Sequence, residues 1–314
     1  RGLGDVYKRQ LIDTPASPIP EKLEGVHLFH FDGAPCAQRV RFALGEKGLA
    51  RGREVVFDSV APDDVTGEDG KWVSRRVSLV KKEHMTDAYA AIHPDMVVPA
   101  LVHDGRLYLE SMDIIAYLDE AFGGDPMMPA DPELHAATMA RVEQAKTLHL
   151  SLRYVTFHWG LGRLAMLKPK ERNSLSDLAA NGQDGENLVS FYNAFSTRSI
   201  PDEVNQDHLS KLYAAFCELD VELADGRSFL MGDTLTIADP FWAMKVLRLK
   251  ETGYPFHSYH PALNSWFERI RARPAFQNEV MGRNRMNNRF FTAKSAIDNL
   301  LDRGLKRALA NVAA

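Results

Sequence analysis

Cys36 carries the most distinctive chemistry in this sequence, because it directly follows a proline that comes soon after a short apolar stretch, residues 26–31. Pro35, with apolar residues spaced three and four apart behind it, predicts a helix over 35–47. A cysteine in the first turn of a helix lies among unpaired backbone N–H groups, which favour thiolate over thiol. Cys36 is therefore a candidate nucleophile or redox centre, and a buried, inert cysteine is the alternative.

The helix end alone is a weak activator of Cys36. It stabilises an anion by roughly 0.3–1 kcal/mol, and a reactive thiolate also needs direct N–H bonds or a nearby cation. Arg39 and Arg41 are close in sequence, but we expect their side chains, three and five residues further along the helix, to point in different directions. The sequence therefore assigns no cation to Cys36.

The composition is that of a globular protein with room for two domains: 314 residues, 45% hydrophobic and 25% charged. The net charge of −4 gives no sign of nucleic-acid binding, and no apolar run approaches the roughly 18 residues that a membrane span needs. The two cysteines, Cys36 and Cys217, form no CxxC pair and no metal-ligand spacing with the eleven histidines. We therefore expect no bound metal, no disulfide and a reducing, cytoplasmic compartment.

The first 24 residues are expected to form a disordered leader. Residues 1–10 begin without Met and resemble a translated transposon end from a sequencing library, so we interpret them as an artefact. Residues 11–24 contain three prolines and predict a loose segment.

The elements around Cys36 predict a mixed α/β half over residues 25–122. Asp104-Gly105, between two β-rich runs, predicts a hairpin. Residues 62–82 carry an acidic run and then a basic run, which predicts a solvated insertion. The remaining predicted elements are a strand over 26–31, a neighbouring strand at either 53–60 or 75–80, a short helix over 87–92, and a helix over 112–121 with Ser111 as its N-cap.

Residues 123–132, rich in Gly and Pro, predict a linker to an all-helical half over 133–277. Helical periodicity runs over 133–166, with a kink expected near Gly160 or Gly162. Further helices are predicted over 208–225, 241–249 and 261–273. Residues 278–314 predict a final helix with one apolar stripe, which packs back onto the helical half or lies on a membrane surface; the stripe consists of Ile297, Leu300, Leu301, Leu305 and Leu309.

Three motifs occur in a recognisable order: Val98-Pro99, Glu110-Ser111 and the capping box Thr236-Ile-Ala-Asp239. With the cysteine turn and the helical second half, they make the chain resemble the glutathione transferase superfamily over about residues 26–277. The resemblance implies an α/β thioredoxin-like N-terminal domain followed by an all-α C-terminal domain. It also implies glutathione as co-substrate, and we expect a homodimer.

The resemblance assigns glutathione-binding roles to residues of the first half. Pro99 would be a cis-proline that exposes the backbone of Val98 to the cysteinyl unit of glutathione. Ser111, at a helix start, would bind the γ-glutamyl carboxylate, and Glu110 the α-amino group. The glycyl carboxylate is assigned to either Lys82 or His84.

The activating residue departs from the pattern of many classes in the family. Classes that use Tyr or Ser place it at the end of the first strand, where residues 29–34 contain neither. Ala34-Pro35-Cys36 takes the place of the Ser-Ser-Cys of the zeta class. Cys36 also coincides with the cysteine of the beta class and of bacterial reductive dehalogenases. The resemblance therefore implies Cys36 as the activating residue, either as a covalent thiol or as an S–H donor.

The expected activity is attack of the glutathione thiol on a small hydrophobic electrophile. Reductive dehalogenation, thiol transfer and isomerisation are alternatives, and so is a non-catalytic binding or scaffold protein. We expect the second substrate between Cys36 and the first helix of the second half, with Tyr154, His158 and Trp159 as contacts. For these aromatic residues, helix packing or a dimer contact is the alternative.

Overall fold

The structure is a computed structural model that describes residues 11–12, 15–179, 185–283 and 285–313. The chain divides into two compact units. The first contains Arg1–Asp125 and Asn173–Val189, and the second Pro126–Arg172 and Ser190–Ala314. The break after Asp125 falls within the predicted linker, and the predicted artefact over residues 1–10 lies outside the described residues.

The first unit is built on a mixed sheet with strand order β1-β6-β5-β2-β4-β3. The strands are β1 (Leu11–Ile12), β2 (Val26–His30), β3 (Ala50–Val56), β4 (Lys71–Arg76), β5 (Ala100–His103) and β6 (Arg106–Tyr108). β2 lies inside the sheet, parallel to β4 and antiparallel to β5. Asp104 and Gly105, with φ of 48° and 80°, form the predicted hairpin turn between β5 and β6.

Of the two ranges predicted to contain a strand next to β2, the one at 75–80 overlaps β4, which pairs with β2 but begins earlier than predicted. Trp72 and Val73, at 0% and 2% exposure, supply its buried side chains. The other candidate range, 53–60, overlaps β3, whose side chains are mostly exposed or half-buried because it lies at the sheet edge.

The prediction of a solvated insertion over 62–82 holds for residues 62–70, which are exposed or half-buried, and is wrong for residues 71–76, which form β4. A buried arginine of this strand also ties the preceding segment to the sheet. Arg75 is 0% exposed, and its Nη1 donates to the carbonyls of Phe57 (3.0 Å) and Ser59 (2.8 Å). Its Nη2 donates to the carbonyl of Asp64 at 2.6 Å. Burial lowers the pKa of Arg75 to about 10, which leaves it charged at neutral pH.

The prediction of a disordered leader is also wrong for the described residues up to 24. β1 pairs antiparallel with β6. Leu23 is 1% exposed within the core of the first unit, and its carbonyl accepts a hydrogen bond from the Gly105 N–H. The apolar side chains of Ile19 and Leu23 pack into that core in spite of the prolines around them.

The first unit contains four α-helices among its described residues up to Asp125: α1 (Pro35–Glu46), α2 (Pro62–Val65), α3 (Asp87–Ala90) and α4 (Ser111–Ala121). α1 packs against α4, and an ion pair between Lys47 and Asp119 joins them. Ser111 is the first residue of α4 rather than its predicted N-cap. Glu110 is the N-cap, since its backbone is extended and its carbonyl accepts from the Ile114 N–H.

The rest of the described chain is helical: α5 (Pro132–Thr147), α6 (His149–Val155), α7 (Pro169–Ala179), α8 (Gly185–Thr197), α9 (Asp202–Leu223), α10 (Ala238–Glu251), α11 (Phe256–Tyr259), α12 (Pro261–Ala272), α13 (Pro274–Phe276), α14 (Arg285–Leu300) and α15 (Leu305–Val312). α10 is buried along nearly its whole length. The predicted capping box spans its start, and the fully buried Asp239 carboxylate accepts hydrogen bonds from the Thr236 N–H and the Trp266 indole N–H.

The long helix predicted over 133–166 is interrupted. α5 ends at Thr147, and α6 continues into a π-helix over Thr156–Leu161, the segment of the predicted kink. Gly160 allows a close approach there, since a Cβ at this position would lie 3.1 Å from the Thr252 hydroxyl oxygen.

The C-terminal extension forms two helices rather than the single striped helix that was predicted. Asp302, with φ of 54°, lies in the turn between α14 and α15. Leu305 and Leu309 are buried, and α15 packs against α9. Ile297 and Leu300 on α14 are exposed, and so is Leu301, which directly follows that helix. None of the described helices is long and apolar enough to cross a membrane.

Candidate active site

Strand register places the predicted residues of the first unit at one edge of the sheet. The parallel strands β2 and β4 end there, at His30 and Arg76. β5, antiparallel to β2, begins there at Ala100, and β6, antiparallel to β5, ends there at Tyr108. We call this side of the sheet, formed by the ends of four strands, the Cys36 edge. Four chain segments meet the sheet along it.

These segments carry the predicted residues in the spatial order of their strands. They are Glu110 and Ser111 after β6, Val98 and Pro99 before β5, Cys36 after β2, and Lys82 and His84 after β4. Adjacent strands lie about 4.8 Å apart, so the whole edge from β6 to β4 spans about 14 Å.

Cys36 is the second residue of α1 and is free and half-buried. Ala34, the N-cap, has no polar side chain, and its carbonyl accepts the first helical bond from the Gln38 N–H at 2.9 Å. The N–H groups of the first turn therefore have no intrahelical acceptor and point toward the region in front of the helix, which suits a thiolate or an anionic ligand.

A cation lies beside Cys36, contrary to the prediction. The Arg39 guanidinium donates from Nη2 to Cys36 Sγ at 3.2 Å, and Arg39 is only 5% exposed. Side chains three residues apart lie on the same helix face, so the spacing of Cys36 and Arg39 was the signal that could have identified this pair.

The loop between β2 and α1 is held by buried arginines that the sequence did not identify. Arg41, on α1, is 0% exposed and donates to the carbonyls of Phe31 (3.3 Å) and Asp32 (3.0 Å). Arg51 pairs with the Asp32 carboxylate at 3.0 Å and also donates to the Ser74 hydroxyl at 2.7 Å. These contacts fix the backbone that leads into Cys36, because they satisfy its carbonyls from inside the unit.

The Val98–Pro99 peptide bond is cis, as the resemblance implied. Tyr89 supports the preceding residue, since its hydroxyl donates to the Val97 carbonyl at 2.8 Å. Tyr89 is fully buried, with its ring edge-to-face against Phe57 at 5.7 Å between centroids. Burial raises the pKa of Tyr89, so this hydroxyl stays protonated and remains a donor.

Ser111 lies at the N-terminus of α4, with 8% exposure. A helix start that carries a hydroxyl is suited to a carboxylate.

Burial is the main cause that lowers the pKa of His84 to about 4, and the Lys82 charge adds to the lowering. His84 is therefore neutral at pH 7, and its Nδ1 has no hydrogen-bond partner within the part of the chain that the structure describes. Lys82 is half-buried and has a left-handed backbone, with φ of 63°. Of the two candidates for the glycyl carboxylate, a neutral His84 is the poorer one, because it offers no positive charge.

The predicted acceptor-site residues lie in the second unit and occupy two environments. Tyr154 stacks on His208 at 4.2 Å and meets Phe191 edge-to-face at 5.0 Å, which fits the packing alternative. His158 and Trp159 lie on the π-helix, with their rings 4.5 Å apart. π-helical turns frequently occur at functional sites.

Comparison with known protein families agrees with this architecture. The family model described as "Glutathione S-transferase, N-terminal domain" matches residues 28–126, and "Glutathione S-transferase, C-terminal domain" matches residues 202–269. The chain belongs to the glutathione transferase superfamily, and the predicted fold class is confirmed.

Two relatives and one solved structure illustrate the similarity. The 2,5-dichlorohydroquinone reductive dechlorinase of Sphingobium indicum is 26% identical over 288 residues, which cover 81% of this chain and 82% of the relative. Glutathione S-transferase theta-1 of Mus musculus is 25% identical over 198 residues, covering 62% of this chain and 70% of the relative. The crystal structure of the β-etherase LigF from Sphingobium sp. strain SYK-6 has a TM-score of 0.66 and 21% identity, and it covers 82% of this chain and 99% of its own.

Proposed function

We propose that the protein is a glutathione-dependent enzyme in which the glutathione sulfur attacks a small hydrophobic electrophile. Cys36 is the proposed activating residue, either as a thiol that bonds covalently to the glutathione sulfur or as a hydrogen-bonding neighbour of it. The observation that carries this proposal is the position of Cys36, half-buried in the first turn of α1, at the same edge of the sheet as a cis-proline and the start of α4. A buried structural cysteine would require none of these neighbours.

The spatial order of the segments matches the chemical order of glutathione. Ser111 and Glu110 would take the γ-glutamyl end, the Val98 backbone the cysteinyl unit, and Lys82 the glycyl carboxylate. A tripeptide backbone extends over about 10 Å. The long side chain of Lys82 would cover the rest of the distance from β6 to β4. In this arrangement the glutathione sulfur lies between β5 and β2, next to Cys36.

The names of the relatives indicate the class of electrophile. A chlorinated hydroquinone and a β-aryl ether both carry a leaving group, chloride or aryloxide, on or near an aromatic ring. Attack by glutathione thiolate forms a carbon–sulfur bond and expels that anion. Reductive removal of chloride additionally needs two electrons, which two glutathione thiols supply when they become one disulfide. Of the two thiol protons, one ends on the ring carbon in place of chlorine and the other is released with the chloride.

His158 and Trp159 are the proposed contacts for the aromatic substrate, with Tyr154 as a residue that supports their helix. The proposed assembly is a homodimer in a reducing, cytoplasmic compartment.

The test is an assay of purified protein with glutathione and three substrates: 2,5-dichlorohydroquinone, a β-aryl ether and a simple aryl halide. Chloride or phenol release reports attack, and formation of glutathione disulfide distinguishes reduction from conjugation. Cys36→Ala is expected to abolish turnover, whereas Cys217→Ala is the matched control that retains it. Equal turnover in Cys36→Ala and wild type would refute the role of Cys36, and failure to bind glutathione would favour the scaffold alternative.

A further inference from the structure

We propose that Arg39 is a catalytic residue that holds Cys36 as a thiolate through its guanidinium. This inference deepens the proposed function and rests on it, because it assigns a second group to the same reacting sulfur.

The geometry is that of a hydrogen bond to sulfur. Arg39 Nη2 lies 3.2 Å from Cys36 Sγ and is the donor, since a guanidinium has N–H groups and no acceptor. The sulfur must therefore accept, and a thiolate is the stronger acceptor because its negative charge also attracts the positive guanidinium. The contact thus favours the anionic form of Cys36, with the thiol proton released to solvent.

Burial strengthens the effect. Arg39 is 5% exposed, so water and salt screen its charge less than they screen a surface arginine. Both residues are on one helix, three positions apart, so the rigid turn sets their separation and no loop has to close to form the pair.

The two arginines of α1 have different partners. Arg41 donates to backbone carbonyls of the loop before the helix, whereas Arg39 donates to the sulfur itself. Removing the positive charge at position 39 would therefore change the reactivity of Cys36, whereas removing the one at position 41 would change the shape of the loop.

The experiment compares alkylation of Cys36 in a Cys217→Ser background, so that only one thiol reacts. Iodoacetamide is applied at neutral pH to the parent, Arg39→Met and Arg39→Lys, with exposed Arg106→Met as the matched charge-removal control. The expected result is an approximately tenfold slower reaction in Arg39→Met, equivalent to about 1.4 kcal/mol, a partial loss in Arg39→Lys, and no change in Arg106→Met. The far-ultraviolet absorbance of the thiolate is expected to be highest in the parent, lower in Arg39→Lys and lowest in Arg39→Met.

A second reagent separates an electrostatic role from a structural one. Iodoacetate is negatively charged, and a guanidinium beside the sulfur raises its rate relative to iodoacetamide. We expect the ratio of the two rates to be higher in the folded parent than in the urea-unfolded chain, a measurement that needs no Arg39 variant to fold. Equal rates for parent and Arg39→Met, or an unchanged ratio on unfolding, would overturn the inference.

The two proposals fail separately. Loss of turnover in Cys36→Ala with no effect of Arg39 on alkylation would refute the role of Arg39 alone. Fast, Arg39-dependent alkylation in a protein that has no glutathione-dependent turnover would refute the proposed function and leave only the electrostatic effect of Arg39 on the Cys36 sulfur.

Discussion

Acidification from pH 7 to pH 5 is expected to destabilise the first unit through its buried histidines, of which His84 and His93 are two. Burial lowers the pKa of each to about 4; the Lys82 charge adds to this for His84, whereas Asp95 opposes it for His93. In the unfolded chain an imidazole titrates near about 6.5. Between these values the unfolded state binds more protons than the folded state, so the free energy of unfolding falls as the pH falls from about 6.5 towards about 4.

The magnitude follows from the two pKa values. At pH 5 an unfolded imidazole is almost fully protonated and a folded one with a pKa of about 4 is mostly neutral, which costs about 2 kcal/mol for each histidine. The pair therefore contributes a loss of about 4 kcal/mol, a large share of the roughly 5–15 kcal/mol that stabilises a typical domain. The effect would reach the Cys36 edge, because His93 stacks on Tyr89, which supports Val97.

Urea unfolding followed by tryptophan fluorescence at pH 7 and pH 5 measures this loss. His93→Phe keeps an aromatic ring against Tyr89 but cannot bind a proton, so its free energy of unfolding is expected to fall by about 2 kcal/mol less than that of wild type over this interval. His257→Phe, at an exposed position, is the control that behaves like wild type. Equal losses in wild type and His93→Phe would refute the reasoning.

Three further changes test other contacts. Ser111→Ala is expected to weaken glutathione binding more than Glu110→Gln, by about 1 kcal/mol for the lost hydroxyl bond; calorimetric titration showing equal dissociation constants would contradict the pocket. Arg75→Met leaves three backbone carbonyls without their donor and is expected to cost about 3–5 kcal/mol, and a loss below about 1 kcal/mol in urea unfolding would refute its structural role. Lys294→Met removes the 3.2 Å hydrogen bond to the Trp159 carbonyl; we expect about 1 kcal/mol of lost stability, and an unchanged midpoint of thermal unfolding would show that the bond is unimportant.

Elements with strong local patterns could be predicted from the sequence. The predicted bounds of β2 and α1 differ from the observed ones by one residue at their C-terminal ends, and the hairpin turn at Asp104-Gly105 forms as predicted. These elements have β-rich or helical apolar spacing and residues that favour their turns and ends, so each is encoded within a few neighbouring positions.

β4 was not predicted within its bounds, because its sequence looks solvated. Arg75 is buried in this strand, and its charge is compensated by carbonyls from residues 57–64, a contact that only the folded chain creates. The contact of Asp32, in the loop after β2, could not be predicted for the same reason, since its partner Arg51 comes from β3. Buried polar contacts between distant segments leave no periodic signal in the sequence.

The Cys36 edge therefore has two origins. The proposed glutathione-binding positions come together only when β6, β5, β2 and β4 pair, so their arrangement depends on the whole first unit. The contact between Arg39 and Cys36 needs only one turn of α1. Its electrostatic effect nevertheless depends on the fold, because Arg39 is shielded from water in the folded chain. The contact to the Cys36 sulfur and the proposed glutathione pocket thus both depend on folding of the first unit, although they are encoded at very different sequence distances.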